Sequence, residues 1–404
     1  NFRGRNIKVV GEDKETTIID GNANGTVVVF ENVNNEFNQY QDAVLKSFTI
    51  TNGGGYEGSG IKLHYFSSPT LSDLIISDNV STSGGGGIRC TSYCHPIIEN
   101  VIVANNTAPE GGGIKCWGGS NPTLTNVTIT GNAATTNYGG GLYCNTSSPV
   151  LKNVTIKDNS ANRYGGGIYI YVSSGPTLDQ VTIADNTALE NGGGIYSDLA
   201  TSVSITNTVL WNNGPQEIFL TGESDTITVS YSDVLGGQDS VIANGGSINW
   251  GSGNIDVNPL FEDTSSYSLT ADSRCIDTGH PDSTDADGTI ADIGTYYYDQ
   301  SGQPLRVQGV VTTPTDSRIF VNWQAAAETD LASYNIYRSL DGDEDFYSAV
   351  PHTSVTTGTQ YVEAAPAEDV TYFYRVSAVD DDGDEGLLSF MEHGRISPNN
   401  TALY

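Results

Sequence analysis

One short phrase returns along the first 213 residues at almost constant distance. Its leucine-type position falls at Leu45, Leu71, Ile98, Leu124, Leu151, Leu178 and Ile205, with gaps of 26 or 27 residues. A glycine cluster keeps the same step at Gly60, Gly87, Gly113, Gly141, Gly167 and Gly194. An asparagine closes each unit at Asn79, Asn106, Asn132, Asn159, Asn186 and Asn213. A fixed period of this length means stacked supersecondary units, none of which buries its apolar face alone. The run Leu124-x-x-Val127-x-Ile129-x-x-Asn132 also fits a leucine-rich repeat. The rest of the unit decides against that: it holds three glycines, each costing about 1 kcal/mol in a helix, then a Ser-Pro or Asn-Pro pair. Short alternating strands such as Gly167 to Tyr171 stand in between. The expected fold is all-β, a right-handed parallel β-helix with rungs of 26–27 residues over residues 1–300.

Strand alternation then sorts inside from outside. Leu124, Val127, Ile129, Leu142 and Cys144 point inward, while Thr128 and Tyr143 point out. The stacked asparagines are expected to form an internal hydrogen-bonded ladder at a corner. The sequons Asn126-Val127-Thr128 and Asn153-Val154-Thr155 are by-products of the same consensus. Of five cysteines, Cys90, Cys116 and Cys144 share one inward column at a rung spacing of about 4.8 Å, and packed, reduced thiols are expected there. Cys94 is the one alternative partner for Cys90.

With 48 acidic against 17 basic residues, the net charge of −31 excludes nucleic acid and anionic membrane as general partners. No apolar run reaches the roughly 18 residues of a membrane span. High Gly, Asn, Ser and Thr with a single Met suit an extracellular β protein, read as a mature or excised piece because it opens inside a repeating unit.

Beyond Asn213 the period loosens, and residues 254–300 carry Asn258-Pro-Leu-Phe261, Ser273-x-Cys-Ile-Asp-x-Gly279 and Asp292-Ile-Gly-x-Tyr296. This stretch resembles the closing segment of secreted bacterial β-helix proteins of the choice-of-anchor type, which implies an exported, surface-associated protein. Within it Asp282, Asp285, Asp287 and Asp292 surround Gly288, and hard cations such as Ca²⁺ take several oxygen ligands from a turn of this kind. From about Pro304 the repeat gives way to short alternating strands. Arg318 to Ala325, with Trp323, reads as strand B, Ala332 to Ser339 as strand C and Thr371 to Gly386 as strand F and its turn. The W…YxIYRS…YxYRVxAVD…G pattern resembles fibronectin type III domains, placing such a domain at 304–395 and a tail at 396–404.

A β-helix is a scaffold, so function is sought on its outward columns. The strand after the glycines places Lys62, Arg89, Lys115, Tyr143, Tyr169 and Tyr196 at its first outward position. Its second reads His64, Thr91, Trp117, Asn145, Tyr171 and Asp198. Aromatic faces stack on sugars, and Lys or Arg pairs with carboxylate or sulfate. Lys62, His64, Arg89, Lys115, Trp117, Tyr143, Tyr169, Tyr171 and Tyr196 are therefore the candidate glycan-binding residues. The architecture resembles the pectin-lyase-like superfamily, which implies a polysaccharide lyase, epimerase or glycosidase as the enzymatic alternative, with Lys62, His64, Arg89 and Lys115 as base and neutraliser. No outward aspartate joins them on those rungs, and apart from the insertion Glu31 to Ala43 the turns are short. The Gly-Gly-Gly-Ile/Leu and Ile-x-x-Asn pairing also resembles the repeats of chlamydial polymorphic outer-membrane adhesins. A flat Thr128, Thr155, Thr182 column raises ice binding as a minor alternative. The sequence thus points to a non-enzymatic adhesive, glycan-contacting or structural protein of the bacterial surface, with end-to-end self-assembly as a further expectation.

Overall fold

The structure, a computed structural model, describes residues 2, 6–31, 42–342 and 346–397. Most of the predicted insertion, residues 32–41, lies outside the described residues, as does the tail beyond residue 397. The chain divides into two compact units. The first comprises Asn1–Leu269, Cys275–Ser283 and Ile290–Tyr297; the second comprises Thr270–Arg274, Thr284–Thr289 and Tyr298–Tyr404.

The first unit is a parallel β-helix. Among the described residues, fourteen strands form its long-strand sheet, nine its short-strand sheet, and four two-residue strands a third sheet. In the long-strand sheet Leu124 pairs with Leu151 and Ile98, and Leu151 pairs in turn with Leu178, so each repeat position stacks on itself. The core is a column of Leu, Ile and Val from every rung, with Leu124, Leu142, Ile156 and Ile168 fully buried. Cys90, Cys116 and Cys144 occupy facing positions on successive rungs, and all five cysteines are buried thiols outside any disulfide. Burial raises the Cys144 thiol, so the column is packed and protonated.

The triple glycine has a separate reason at each place. Its first member takes a left-handed conformation, at φ of +69° for Gly139 and +68° for Gly165. The second is pressed on the next rung: a Cβ on Gly140 would sit 2.4 Å from the Gly166 carbonyl oxygen and 2.5 Å from that of Ser160. Gly140→Ala is expected to cost about 2 kcal/mol by overpacking, read as a lower urea midpoint with unchanged slope.

The asparagine column is a continuous buried ladder. The Nδ2 of Asn79 donates to Asn106 Oδ1 at 2.9 Å, and the same bond repeats through Asn132, Asn159 and Asn186 to Asn213 at 2.9–3.0 Å. It ends on Glu217, whose carboxylate accepts Asn213 Nδ2 at 2.6 Å and Asn213 N–H at 3.0 Å.

The closing segment returns over the long-strand sheet. Gly294 N–H donates to the Asn207 carbonyl at 2.9 Å, and Thr295 N–H to Thr182 Oγ1 at 3.0 Å. Gly294 takes φ +121°, a backbone conformation that strains any side chain, and a Cβ there would press at 3.3 Å on Thr182 and Val209. This contact buries Thr155 and Thr182, so the threonine column is not the open flat surface that ice binding requires.

The second unit holds antiparallel strands in sheets of three and four, the arrangement of a fibronectin type III-like sandwich. The predicted strands appear at Ile319–Asn322, Leu331–Ser339 and Thr371–Asp380. Trp323 is buried, 5.2 Å edge-on from Tyr334, within a core that includes Ile336, Tyr374, Val376 and Ile396.

Candidate functional site

The short-strand sheet carries both predicted columns in register. Lys62, Arg89, Lys115, Tyr143, Tyr169 and Tyr196 stack as direct neighbours, as do His64, Thr91, Trp117, Asn145, Tyr171 and Asp198. The first column does leave the coil outward, yet it is not open surface. The residue five places earlier, just ahead of the glycines, folds over it. Glu57 lies 3.2 Å from Lys62 and 3.1 Å from Arg89, and Glu110 lies 2.7 Å from Lys115. Burial alone would raise the Glu57 carboxyl, but Arg89 and Lys62 together hold it below the usual range.

On later rungs the covering residue is itself a tyrosine. Tyr138 stacks on Tyr169 at 4.5 Å between centroids, and Tyr164 on Tyr196 at 4.4 Å. Beneath them Tyr143, Tyr169, Tyr196 and Phe219 stack along the axis at 5.3–5.7 Å. Arg163 closes the outer face over Tyr138 and Tyr164 and pairs with Glu190 at 2.8 Å. Tyr143, Tyr169 and Tyr196 are consequently only 4–6% exposed, and burial pushes the Tyr143 phenol up to about 12. The aromatic strip expected to meet sugars is a rung-to-rung zipper whose ring faces are already covered.

Open aromatic surface lies at the next corner instead. His64 is stacked on Tyr65 at 3.7 Å, and Phe66 on Tyr93 at 5.5 Å with planes 8° apart. Tyr65, Tyr93 and Trp117 are 39%, 56% and 47% exposed. Burial and Lys62 hold the His64 imidazole below its ordinary range, so it is neutral at pH 7. The turns stack through their backbones, with Phe66 N–H donating to the Ser92 carbonyl and Tyr93 N–H to that of Gly118. Tyr93 lies over Gly119, where a Cβ would come within 2.6 Å of its ring. Each of these turns needs two successive left-handed residues. Gly118–Gly119 adopt them freely, whereas Tyr65–Phe66 and Ser92–Tyr93, at φ of +50° to +64°, are each disfavoured by about 1–2 kcal/mol per residue. The turn does not require aromatic rings for its own sake. Sequence reasoning missed Tyr65, Phe66 and Tyr93 because they sit one and two places beyond the strand, where alternation assigns no direction. Tyr171, on the predicted column, is half-buried at 5.9 Å from Tyr169.

Two carboxylates of the acidic loop, Asp287 and Asp292, hold backbone N–H groups. Asp287 Oδ1 accepts Thr289 N–H and hydroxyl at 3.0 and 2.8 Å, and its Oδ2 accepts Gln300 N–H at 2.9 Å. Asp292 accepts Asp277 N–H at 2.8 Å, and Asp282 N–H donates to His280 Nδ1 at 3.2 Å. Asp285 N–H donates to the Thr289 carbonyl at 3.1 Å. Among the described residues no group of three His, Cys, Asp or Glu side chains is placed to hold a metal ion. No described helix is long and apolar enough to cross a membrane.

Residues 32–196 match the family model of the right handed β-helix region, which gives the coil its hand. No curated protein matches the chain. Among solved structures, a fibronectin-III-like protein from Clostridium thermocellum is similar at 27% identity over 22% of this chain and 86% of its own, with a TM-score of 0.18. The spore cortex lytic enzyme SleM of Clostridium perfringens is similar at 13% identity, over 43% of this chain and 55% of its own, with a TM-score of 0.19.

Proposed function

We propose that the chain is a secreted, non-catalytic scaffold of the bacterial surface that contacts a neutral glycan along the corner formed by Tyr65, Phe66, Tyr93 and Trp117. The observation that carries this reading is the exposure of aromatic rings on three successive rungs, two of them on backbone that disfavours such side chains. Two rung steps span about 10 Å, close to the length of a disaccharide. The glycan is neutral because Lys62, Arg89 and Lys115 already face Glu57 and Glu110. The same pairing speaks against the lyase-like alternative, whose base and neutraliser would be these cations.

Affinity electrophoresis through soluble cellulose derivatives, galactomannan and xylan tests the proposal. Retardation by at least one is expected, weakened about tenfold in Trp117→Ala or Tyr93→Ala, as for loss of a central aromatic contact. Tyr169→Ala is expected to lower stability instead, because its ring is inside the zipper. Migration unchanged in all three polysaccharides would remove the reading.

A further inference from the structure

A second surface, on the long-strand sheet, stands on different residues and does not depend on the Trp117 corner. Thr295 is fastened to that sheet through Thr182 Oγ1 and, by its own hydroxyl, to the Val154 carbonyl at 2.8 Å. The next two residues, Tyr296 and Tyr297, are therefore held beside the preceding rungs with 41% and 42% of their surface open. Between them and the sheet is a cleft of about 280 Å³, lined also by Asn126, Val127, Thr128, Asn153 and Thr295. None of these lining side chains is charged.

The floor of the cleft is unusual in its polarity. Every long strand bends at one left-handed residue, and that column includes Asn100, Asn126 and Asn153 at φ of +53° to +55°. Asn153 Nδ2 donates to Asn126 Oδ1 at 3.3 Å, and Asn126 Nδ2 to Asn100 Oδ1 at 3.2 Å. This outer amide chain ends at Asn153, because the next rung carries Gln180 in place of asparagine. Its acceptor end, Asn153 Oδ1, is buried and has no hydrogen-bond partner among the described residues. A buried acceptor without a donor is disfavoured by about 1–3 kcal/mol, and an aligned amide chain polarises its terminal oxygen further.

A molecule that fits must donate hydrogen bonds, lie against tyrosine faces and carry no charge. Pockets for drug-sized ligands run from about 300 to 1,000 Å³, so the cleft suits something smaller. We propose that it binds a single neutral pyranose, with ring hydroxyls hydrogen-bonding to the Thr128 hydroxyl and the Asn126 and Asn153 carboxamides that line it, and an apolar ring face against Tyr296 or Tyr297. The bound unit is either a free monosaccharide or the end of a glycan chain, and the two share this chemistry.

Saturation-transfer NMR on the full chain tests this with the methyl glycosides of glucose, galactose, mannose and N-acetylglucosamine, and with the matching disaccharides. At least one probe is expected to show transfer. Its dissociation constant should rise about tenfold in Tyr297→Ala and about threefold to tenfold in Thr128→Val, while Trp117→Ala leaves it unchanged. Thr128→Val keeps the shape of a half-buried strand residue, so it reads the site even if the tyrosine variant is destabilised. Tighter binding of the disaccharides would assign the site to chain ends, and equal binding to single sugars. Absence of transfer from every probe overturns the proposal, and so does transfer unchanged in both cleft variants. Transfer lost only in Trp117→Ala would overturn it while supporting the separate corner.

Discussion

Asn132→Ala is expected to lower the stability of the β-helix by about 3–5 kcal/mol. The amide sits mid-ladder at 0% exposure. Its Nδ2 donates to the Val103 carbonyl at 2.9 Å, to Asn159 Oδ1 at 3.0 Å and to the Thr130 carbonyl at 3.1 Å. Its Oδ1 accepts both the N–H and the Nδ2 of Asn106, at 2.9 and 3.0 Å. Alanine removes all of these and strands the Asn106 N–H in a dry corner at about 1–3 kcal/mol, while Asn106 Nδ2 keeps the Ile76 carbonyl and Asn159 Oδ1 keeps the backbone N–H of residue 132. A solenoid holds together through nearest-neighbour contacts, so a broken rung also lets the flanking halves unfold apart. Urea melts should show a lower midpoint and a broadened transition. Asn100→Ala, in the exposed outer column, serves as the comparison. If the two variants melt alike, the inner ladder adds nothing beyond packing.

The ladder was legible because a fixed period places like over like, and a buried amide column pairs with itself. Its end was not legible. Glu217 stands four residues past Asn213, where the period has already loosened, and only the folded arrangement brings its carboxylate to the terminal Nδ2. The covered outer column has a different explanation. Alternation along a strand separates inside from outside, yet says nothing about whether a turn folds back over the outside. The signal was present as a second column at a constant offset of five: Glu57 with Lys62, Glu110 with Lys115, Tyr138 with Tyr143, Tyr164 with Tyr169. Acids face bases on the early rungs, and on the later ones rings meet rings one rung on, with Gly84 and Asn191 interrupting the column ahead of Arg89 and Tyr196. Matching the chemistry of two columns, rather than reading one, would have converted the predicted sugar strip into a zipper.

The closing segment shows the limit from another side. Its motifs stand out in the sequence, and their local reasons are now visible: Ile293 is buried, Asp292 holds a backbone N–H, and Gly294 takes a positive φ that strains any side chain. That Thr295 would meet Thr182, 113 residues earlier, follows from no local pattern. The cleft beside Tyr296 and Tyr297 exists only through that long-range contact. The sandwich, by contrast, was readable strand by strand, because each strand alternates and Trp323 marks its core.

Glu217 carries the last expectation, a dependence of stability on pH that a single substitution should remove. Burial pushes its carboxyl from 4.5 up to about 7, against the two bonds from Asn213 that favour the charged form. A raised folded-state value means that the folded protein holds the proton more tightly than the unfolded chain. The resulting stabilisation is complete below about pH 4.5 and is lost as the pH rises through 7. The shift corresponds to about 3 kcal/mol. Asp233, also raised to about 7 by burial, acts in the same direction. Because general repulsion among acidic side chains also grows with pH, the readout is a difference: stability of the wild type minus that of Glu217→Gln, from urea midpoints at several pH values. That difference should fall between pH 4.5 and 7.5 by about 3 kcal/mol and then level off. Asp233→Asn should flatten the wild-type profile further. Parallel profiles for wild type and Glu217→Gln would show that the ladder ends on a carboxylate charged throughout, stabilised by the aligned amide donors more than burial opposes it.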